Sequence, residues 1–170
     1  MDRVVFRYSK GSFYVVTILL MIMSLILVAF LSSFDTGRDI LVPATLLCAI
    51  CVIVYGIIPM FTFHHVEDGV LTLSQGLFFN GKVPISEIVS IEAVDKGPFR
   101  TGVFFNMRGA VLYVTTRRRD LLIVKLRGRR RFGFAFGKSV DTIIFDCLDT
   151  KKAKELLSKE LTPSSPDLLS

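Results

Sequence analysis

Apolar and polar positions divide the chain into a charge-free part and a part with mixed polarity. Residues 13–34 and 40–63 together hold 46 positions without an Asp, Glu, Lys, Arg or His side chain. A helix needs about 20 apolar residues to cross the hydrocarbon core of a bilayer, and helical backbone satisfies its own polar groups in lipid. The pattern therefore predicts two transmembrane helices, 13–34 and 40–63, joined by a short external loop at 35–39.

A cleaved signal peptide is the alternative for the first apolar segment. Such peptides have a shorter apolar stretch of about 7–15 residues, and here a second span follows at once, so a retained anchor is favoured. Residues 1–12 carry three Lys or Arg side chains and the loop 35–39 carries one. By the positive-inside rule, we expect a multi-pass protein of the cell membrane with both termini in the cytoplasm.

After residue 63 the hydrophobic pattern changes to a period of two. Leu71 and Leu73 alternate with more polar neighbours, and Asp68-Gly69 is a strong hairpin signal. Short runs rich in β-branched and aromatic residues then recur, as in a barrel or sandwich. The strands predicted in this way are 64–67, 70–75, 77–83, 88–94, 110–116, 121–126, 132–136 and 142–145. They are expected to form a meander, in which each strand pairs with the next.

The period changes once more near the end of the chain. Asp149 or Thr150 can cap a helix, and an apolar stripe at helical spacing follows, consisting of Ala153, Leu156, Leu157 and Leu161. This predicts a C-terminal amphipathic helix that ends before Pro163. The tail 162–170 is rich in Ser and Pro, and we expect it to be disordered.

Two membrane helices followed by this order of strands and one helix resemble the bacterial and archaeal pleckstrin-homology-like (PH-like) membrane proteins. The segments that carry the resemblance are 68–73, 83–92, 109–116 and 141–161. The resemblance covers about residues 60–161. It implies a membrane helical hairpin followed, at 64–161, by a mainly-β PH-like barrel of seven to eight antiparallel strands capped by one C-terminal α-helix.

The positive charge is concentrated in one segment. The chain has a net charge of +6, and residues 117–131 alone contain eight basic side chains and one acidic one. In a meander, one Arg triplet lies in the turn before the strand at 121–127 and the other in the turn after it. A strand of seven residues spans roughly 23 Å, so the two triplets are expected at opposite ends of the sheet, too far apart for one headgroup pocket.

Counting strand directions from the bilayer places the predicted loop 96–109 and the turn 128–131 near the membrane. Basic and aromatic side chains there can contact anionic lipid or insert at the interface, or the loop can fold back and cover the barrel. For the Arg triplets, solvated turns are the alternative to such contacts. The candidate lipid or partner contacts are Lys96, Phe99, Arg100, Phe104, Phe105, Arg108, Arg129, Arg130 and Arg131, with a second basic turn at Arg117, Arg118 and Arg119.

Cysteine, histidine and glycine patterns do not predict catalysis. Cys48 and Cys51 are spaced as a redox or metal pair, but inside a membrane helix two small residues at a helix contact are favoured. We expect Cys147 in the core, and His64 and His65 as linker residues at the bilayer surface rather than a pH sensor. The segment 133–139 lacks the glycine spacing of a phosphate-binding loop. No catalytic residue, cofactor or metal ligand is predicted, and we expect a protein that is not an enzyme.

These observations favour a membrane-anchored interaction or assembly module that binds a protein partner or itself at the cytoplasmic face. An anionic-lipid-responsive regulator is the second hypothesis. Segment 71–83 contains only Lys82 as a basic residue, which argues against a specific inositol-phosphate site and leaves general attraction to anionic lipid. Membrane-tethered binding of nucleic acid is the third and least favoured, because no aromatic platform for bases accompanies the arginines.

Overall fold

A computed structural model describes residues 3–34, 37–77, 79–97, 101–106, 109–133 and 139–161. The chain separates into two compact units. Residues 10–62 form a helical unit, and residues up to 9 together with those from 63 onward form a β unit. The tail 162–170 lies outside the described residues, so its predicted disorder stays a prediction.

The helical unit contains two helices that are long and apolar enough to cross a membrane. The first, α1, is Gly11–Ser32. The second runs from 38 to 61 without a break and comprises α2 (Arg38–Cys51), a π-helical turn (Val52–Ile57) and α3 (Ile58–Phe61). Within the two helices, an 18-residue window has a mean hydropathy of 2.8 and 2.6, respectively. Two long apolar helices are thus confirmed, and each starts two residues before its predicted beginning.

Small residues allow the two helices of this unit to approach closely. Gly56 is buried, and a Cβ atom placed on it would lie 2.6 Å from Thr17 Oγ1. Any side chain at this position would therefore force the helices apart. Cys48 and Cys51 are both partly exposed free thiols.

Period-two segments form the β unit, as predicted. Its described strands are β1 (Val4–Phe6), β2 (His64–Glu67), β3 (Val70–Gln75), β4 (Phe79–Pro84), β5 (Ile88–Val94), β6 (Gly102–Asn106), β7 (Val111–Thr115), β8 (Leu121–Arg131) and β9 (Ser139–Asp146). The hairpin between β2 and β3 is confirmed. Asp68 and Gly69 form its turn with φ values of 50° and 70°, as a two-residue hairpin loop requires.

The strands form two sheets around one core, and no barrel closes within the described part of the chain. One sheet has four strands in the order β1-β2-β3-β4, and the other has five in the order β5-β8-β9-β7-β6. Their inner faces share a cluster of buried side chains that includes Leu71, Val83, Leu112 and Ile143, each with 0% exposure. The mainly-β layout is confirmed, and the predicted closed barrel is wrong.

The predicted meander is also wrong, because β9 lies between β7 and β8. It pairs in parallel with β7 and antiparallel with β8. Strand β9 carries fully buried Val140, Ile143 and Phe145, so a central position with a neighbour on each edge covers its apolar run better than an outer position would.

The C-terminal helix α4 is Thr150–Leu161, as the sequence predicts. Asp149 caps it, with Oδ1 accepting a hydrogen bond from the Lys152 amide at 3.0 Å. Ala153 and Leu157 are buried against the sheets, and Leu156 and Leu161 pack against the same core from its edge.

Three local predictions need correction. The predicted loop 96–109 contains strand β6, which pairs with β7 from Gly102 to Asn106. Strand β8 continues to Arg131, so the second Arg triplet lies in a strand rather than a turn. Of the predicted strand 132–136, Phe132 follows β8 outside any strand and is buried, Gly133 lies in a helical turn, and the rest lies outside the described residues.

Candidate interaction surfaces

Four strands of the five-stranded sheet present a row of apolar side chains on the face turned away from the core. The row consists of Phe104, Tyr113, Ile144 and Ile123, which are direct cross-strand neighbours in that order. All four are partly exposed, whereas the residues that alternate with them belong to the core. We call these four residues the outer row.

Phe104 and Tyr113 stack, with ring centroids 4.5 Å apart and an interplanar angle of 10°. Phe105 points to the opposite face of β6 and packs against the core. The two phenylalanines that were predicted as one contact therefore have different roles. A shallow cleft of ≈ 280 Å³ adjoins the outer row and is also lined by Val94, Lys96 and Gly97.

Lys96 and the first Arg triplet lie at the same end of this sheet. Strand β5 ends where β8 begins, and the Gly97 amide donates a hydrogen bond to the Arg118 carbonyl at 2.8 Å. The prediction grouped Lys96 with Arg129–Arg131 instead. That grouping is wrong, because the count of strand directions did not include β6. Lys96, Arg118 and Arg119 are all exposed.

The second Arg triplet lies at the opposite end of β8, as predicted from its distance along the strand. Arg130 forms an ion pair with Glu87, in which Nη1 lies 2.7 Å from each carboxylate oxygen. Arg129 Nε lies 3.9 Å from an Asp141 carboxylate oxygen. Two of these three arginines therefore have acidic partners within the domain, and fewer of their donors remain for a lipid phosphate.

Arg117 differs from its two neighbours because its guanidinium binds inside the protein. Its Nη2 donates to the Cys147 carbonyl, its Nη1 lies 3.2 Å from Asp120 Oδ2, and its Nε lies 3.9 Å from Asp146 Oδ2. Asp146 has 0% exposure. The role of Arg117 is therefore internal, beside a buried carboxyl group, rather than that of a surface contact.

The carboxyl group of Asp146 joins β9, β7 and the N-terminal segment. Its Oδ1 accepts from the Thr116 amide at 2.7 Å, its Oδ2 lies 2.6 Å from Thr116 Oγ1, and the Ser9 amide donates to Oδ2 at 3.4 Å. Thr116 Oγ1 also lies 2.7 Å from the Ser9 carbonyl. A hydroxyl has only one proton to donate, so a protonated Asp146 donating to Thr116 satisfies both short contacts at once.

The electrostatic surroundings of Asp146 agree with this arrangement. Burial raises the pKa of Asp146 above its ordinary value, while hydrogen bonds from Thr116 and Ser9 and the charge of Arg117 act in the opposite direction. Burial dominates because the desolvation free energy of the charged carboxylate exceeds the stabilisation that these partners provide. The carboxyl group is therefore placed for a structural role, because it is buried and has no contact with solvent.

His64 was expected in a linker, and the structure instead places it in the core with 1% exposure. Its ring lies between Tyr8 and Phe145, at centroid distances of 5.0 and 5.4 Å, and its Nδ1 accepts from the Ser74 amide. Burial, followed by the charge of His65, lowers the pKa of His64 to about 3. His64 is therefore a neutral core residue at physiological pH. His65 remains partly exposed, beside Glu67 at 3.8 Å.

Phe99, Arg100 and Arg108 lie outside the described residues, so their assignment stays a prediction. Sequence reasoning missed the outer-row residues Tyr113, Ile123 and Ile144 because a strand pattern does not show which face the other sheet covers. It also missed β1. The run of β-branched and aromatic residues before the first span, Val4-Val5-Phe6, was the available signal for that strand.

The described residues contain no group of three or more His, Cys, Asp or Glu side chains that could hold a metal ion. What the geometry offers is surface: an apolar outer row, exposed cations at one end of it, and an N-terminal strand at a sheet edge. Comparison with family models, with curated proteins and with solved structures finds no match to this chain.

Proposed function

We propose that the chain is a membrane-anchored interaction module, which binds a protein partner or a second copy of itself at the cytoplasmic face of the cell membrane. The observation that carries the proposal is the outer row, Phe104-Tyr113-Ile144-Ile123, which crosses four strands in register. Aromatic and aliphatic side chains at the centre of a surface are typical of protein contacts. The two long apolar helices, 11–32 and 38–61, supply the anchor, and the PH-like resemblance supplies a fold that often serves binding.

Crosslinking of the full chain in native membranes tests the proposal. The variant Ile123→Thr/Ile144→Thr keeps β-branched residues in both strands but removes apolar surface from the row. We expect it to lose most of the crosslinked species seen with the wild-type chain. Leu77→Thr is the matched control, because Leu77 is 63% exposed and lies outside the five-stranded sheet. A wild-type chain that is only monomeric, or a double variant that crosslinks normally, would overturn the proposal.

A lipid-responsive regulator is the second candidate, and the clustering of Lys96, Arg118 and Arg119 at one end of the sheet favours it. Cations near an anionic leaflet each gain roughly 1 kcal/mol. Hydrogen exchange of the full chain in nanodiscs tests this function. It predicts protection of segment 116–120 in anionic lipid that disappears in zwitterionic lipid and at high salt. Exchange that is indifferent to lipid charge would exclude it.

A further inference from the structure

Strand β1 lies at an edge of the four-stranded sheet, with β2 on one side and no described strand on the other. Its three residues pair with β2 in the register Val4 with Val66, Val5 with His65 and Phe6 with His64. An open edge presents unpaired N–H and C=O groups to any extended chain nearby. Which backbone N–H and C=O groups of β1 are unpaired follows from the alternation of hydrogen bonds in the hairpin between β2 and β3.

In a two-residue hairpin, the residues that flank the turn exchange two hydrogen bonds. Glu67 and Val70 hold these positions, so the backbone groups of Glu67 and His65 point toward β3. The backbone groups of Val66 and His64 then point toward β1. Their partners Val4 and Phe6 bond to β2, and the N–H and C=O of Val5 point outward.

An independent hydrogen bond agrees with this direction of the backbone groups. Arg7 lies two residues from Val5, so its carbonyl points to the same side of the strand. That carbonyl accepts a hydrogen bond from the Leu148 amide at 2.8 Å, and Leu148 follows β9 in the other sheet. On the outward side of β1, the Arg7 carbonyl is therefore already hydrogen-bonded. The N–H and C=O of Val5 face the space beside α4.

Two clefts of ≈ 510 and ≈ 270 Å³ lie along β1 and share Val4, Phe6 and Leu156 in their walls. The larger one forms a groove between the open edge and α4 that is big enough for several residues of an extended chain. The smaller one is lined by Glu67, Asp68 and Glu160 against Lys159, so it is not part of this groove. Side chains of β1 and α4 supply apolar surface inside the groove. Val5 is 42% exposed.

The charges along this groove select its occupant. Arg3, Arg7 and Lys152 line the larger cleft, against Asp149, whose Oδ1 caps α4. Within the described residues, no carboxylate pairs with the side chain of Arg7 or of Lys152. Among the described carboxylates, Arg3 has Glu67 as a partner, at 3.9 Å, and its guanidinium also lies 5.2 Å from the centre of the Phe63 ring. An acidic segment therefore fits this groove better than a neutral or basic one.

A second copy of β1 fits poorly. Antiparallel pairing of two β1 strands centred on Val5 would place Arg3 of each copy opposite Arg7 of the other, and like charges in directly opposed positions destabilise a sheet. A partner strand with carboxylates two residues on either side of an apolar residue instead brings one acid opposite Arg3. Leu148 occupies the outward side of the strand at Arg7, so the other acid lies in the cleft, beside the Arg7 and Lys152 side chains.

We propose that the open edge of β1 binds an extended acidic segment of a partner protein by strand addition. The main chain of that segment bonds to the N–H and C=O of Val5, and its carboxylates pair with Arg7 and Lys152. This surface is separate from the outer row, so it adds a second contact to the proposed module.

Fluorescence anisotropy of a labelled ETVTE peptide with the full chain in detergent micelles tests the proposal, with KTVTK as the charge-reversed peptide. We expect saturable binding of ETVTE alone. Arg7→Glu should weaken it by about tenfold and let KTVTK bind. Lys82→Glu, the same charge change on the far edge strand of the same sheet, is the matched control and should bind ETVTE like the wild-type chain.

The main-chain contact has its own pair of measurements. Val5→Pro removes the outward N–H and leaves the bonds to β2 in place, so ETVTE binding should be lost. ETVTE methylated at the amide of its central Val should bind the wild-type chain equally poorly, which checks the contact without altering the protein fold.

Three results would overturn the proposal. Equal binding of ETVTE and KTVTK would show that the charges do not select the occupant. Dimers that depend on Val5 would assign the edge to a second copy. Tighter ETVTE binding by a chain that ends at Leu161 would assign it to residues 162–170 of the chain itself. None of these results depends on the outer-row variants, so the two proposals fail independently.

Discussion

The two ends of β8 carry an Arg triplet each, yet they have opposite physical character. At one end, Arg117 contacts the Asp146 carboxyl group, which is wholly buried and joined to Thr116 and Ser9. We call this the Asp146 end. At the other, the Arg130 end, Arg130 pairs with Glu87 at the surface, with side-chain exposures of 33% and 44%. Identical sequence motifs thus serve a buried network and a solvated one.

The difference matters because burial decides what a charge contributes. A buried polar group that loses its partner bears the full desolvation cost, whereas an exposed ion pair contributes roughly 0–1 kcal/mol. Substitutions at the Asp146 end should therefore change the stability of the β unit, and those at the Arg130 end should leave room for surface function.

The largest effect is expected at His64, which packs on Phe145, the neighbour of Asp146. The pKa of His64 is about 3 in the folded chain and 6.5 in its ordinary environment. The unfolded chain therefore takes up the proton first, and stability that is present above pH 6.5 is lost as the pH falls toward 3. Each pH unit in this window costs up to about 1.4 kcal/mol, which amounts to about 3 kcal/mol by pH 4.

Urea unfolding of the full chain in micelles, followed by near-UV circular dichroism from pH 7 to pH 4, measures this loss. His64→Leu should flatten the slope. His65→Leu is the control and should keep most of the slope. Burial lowers the pKa of His65 as well, but this side chain is partly exposed, so it contributes less to the slope than His64 does. Equal slopes in His64→Leu and the wild-type chain would contradict the assignment.

At Asp146, truncation to Ala should cost about 2–3 kcal/mol, because the amides of Thr116 and Ser9 lose a buried acceptor. Asp146→Asn keeps one carbonyl oxygen and should cost less. The raised pKa of Asp146 means that the folded chain binds the proton more tightly than the unfolded one. Stability from this group is full below pH 3.8 and declines as the pH rises through the folded pKa.

The sign of this pH effect is opposite to that of His64, so the two variants are distinguishable in one set of unfolding curves. Asp146→Asn should remove a decline with rising pH, and His64→Leu a decline with falling pH. If Asp146→Ala unfolds at the same urea concentration as the wild-type chain, the Asp146 end is not the buried network described above.

The contrast between the two ends also shows how far the sequence predicts the structure. Separation of the Arg triplets along β8 follows from strand length alone, and so do the β2–β3 hairpin at Asp68-Gly69 and helix α4 after Asp149. These are local properties, set by turn chemistry, period and capping. They needed no knowledge of which strands meet.

Non-local pairing accounts for the errors. The unpredicted strand β6 reversed the direction expected for the strands after it, so Lys96 lies at the end that holds Arg118. The insertion of β9 between β7 and β8 brought Asp146 beside Thr116, 30 positions earlier in the chain. Strand β1 likewise depends on a partner about 60 residues away. No period or turn signal specifies such partners, so neither the buried network nor the groove beside α4 was predictable from one sequence.

A smaller effect is expected at Arg117, whose side chain is 23% exposed. Arg117→Ala removes a donor from the Cys147 carbonyl and a positive charge beside Asp146, and should cost about 1–2 kcal/mol. The pKa of Asp146 should rise further without this charge. Arg117→Lys is the control and should retain part of the charge effect while losing the forked contacts. Urea unfolding of both variants at two pH values measures this loss of stability. An unchanged titration of Asp146 in Arg117→Ala would contradict the prediction.

The smallest effect is expected at the Arg130 end. Arg130→Ala should lower the stability of the β unit by only about 0.2–1 kcal/mol at low salt, because both partners of the pair are partly exposed and screened. Glu87→Gln should cause the same loss, and the double variant should add little. Arg131→Ala serves as the nearby control. A loss at Arg130 as large as that at Asp146, or one that persists at high salt, would mean that this pair is held away from solvent, and the two ends of β8 would then share one character.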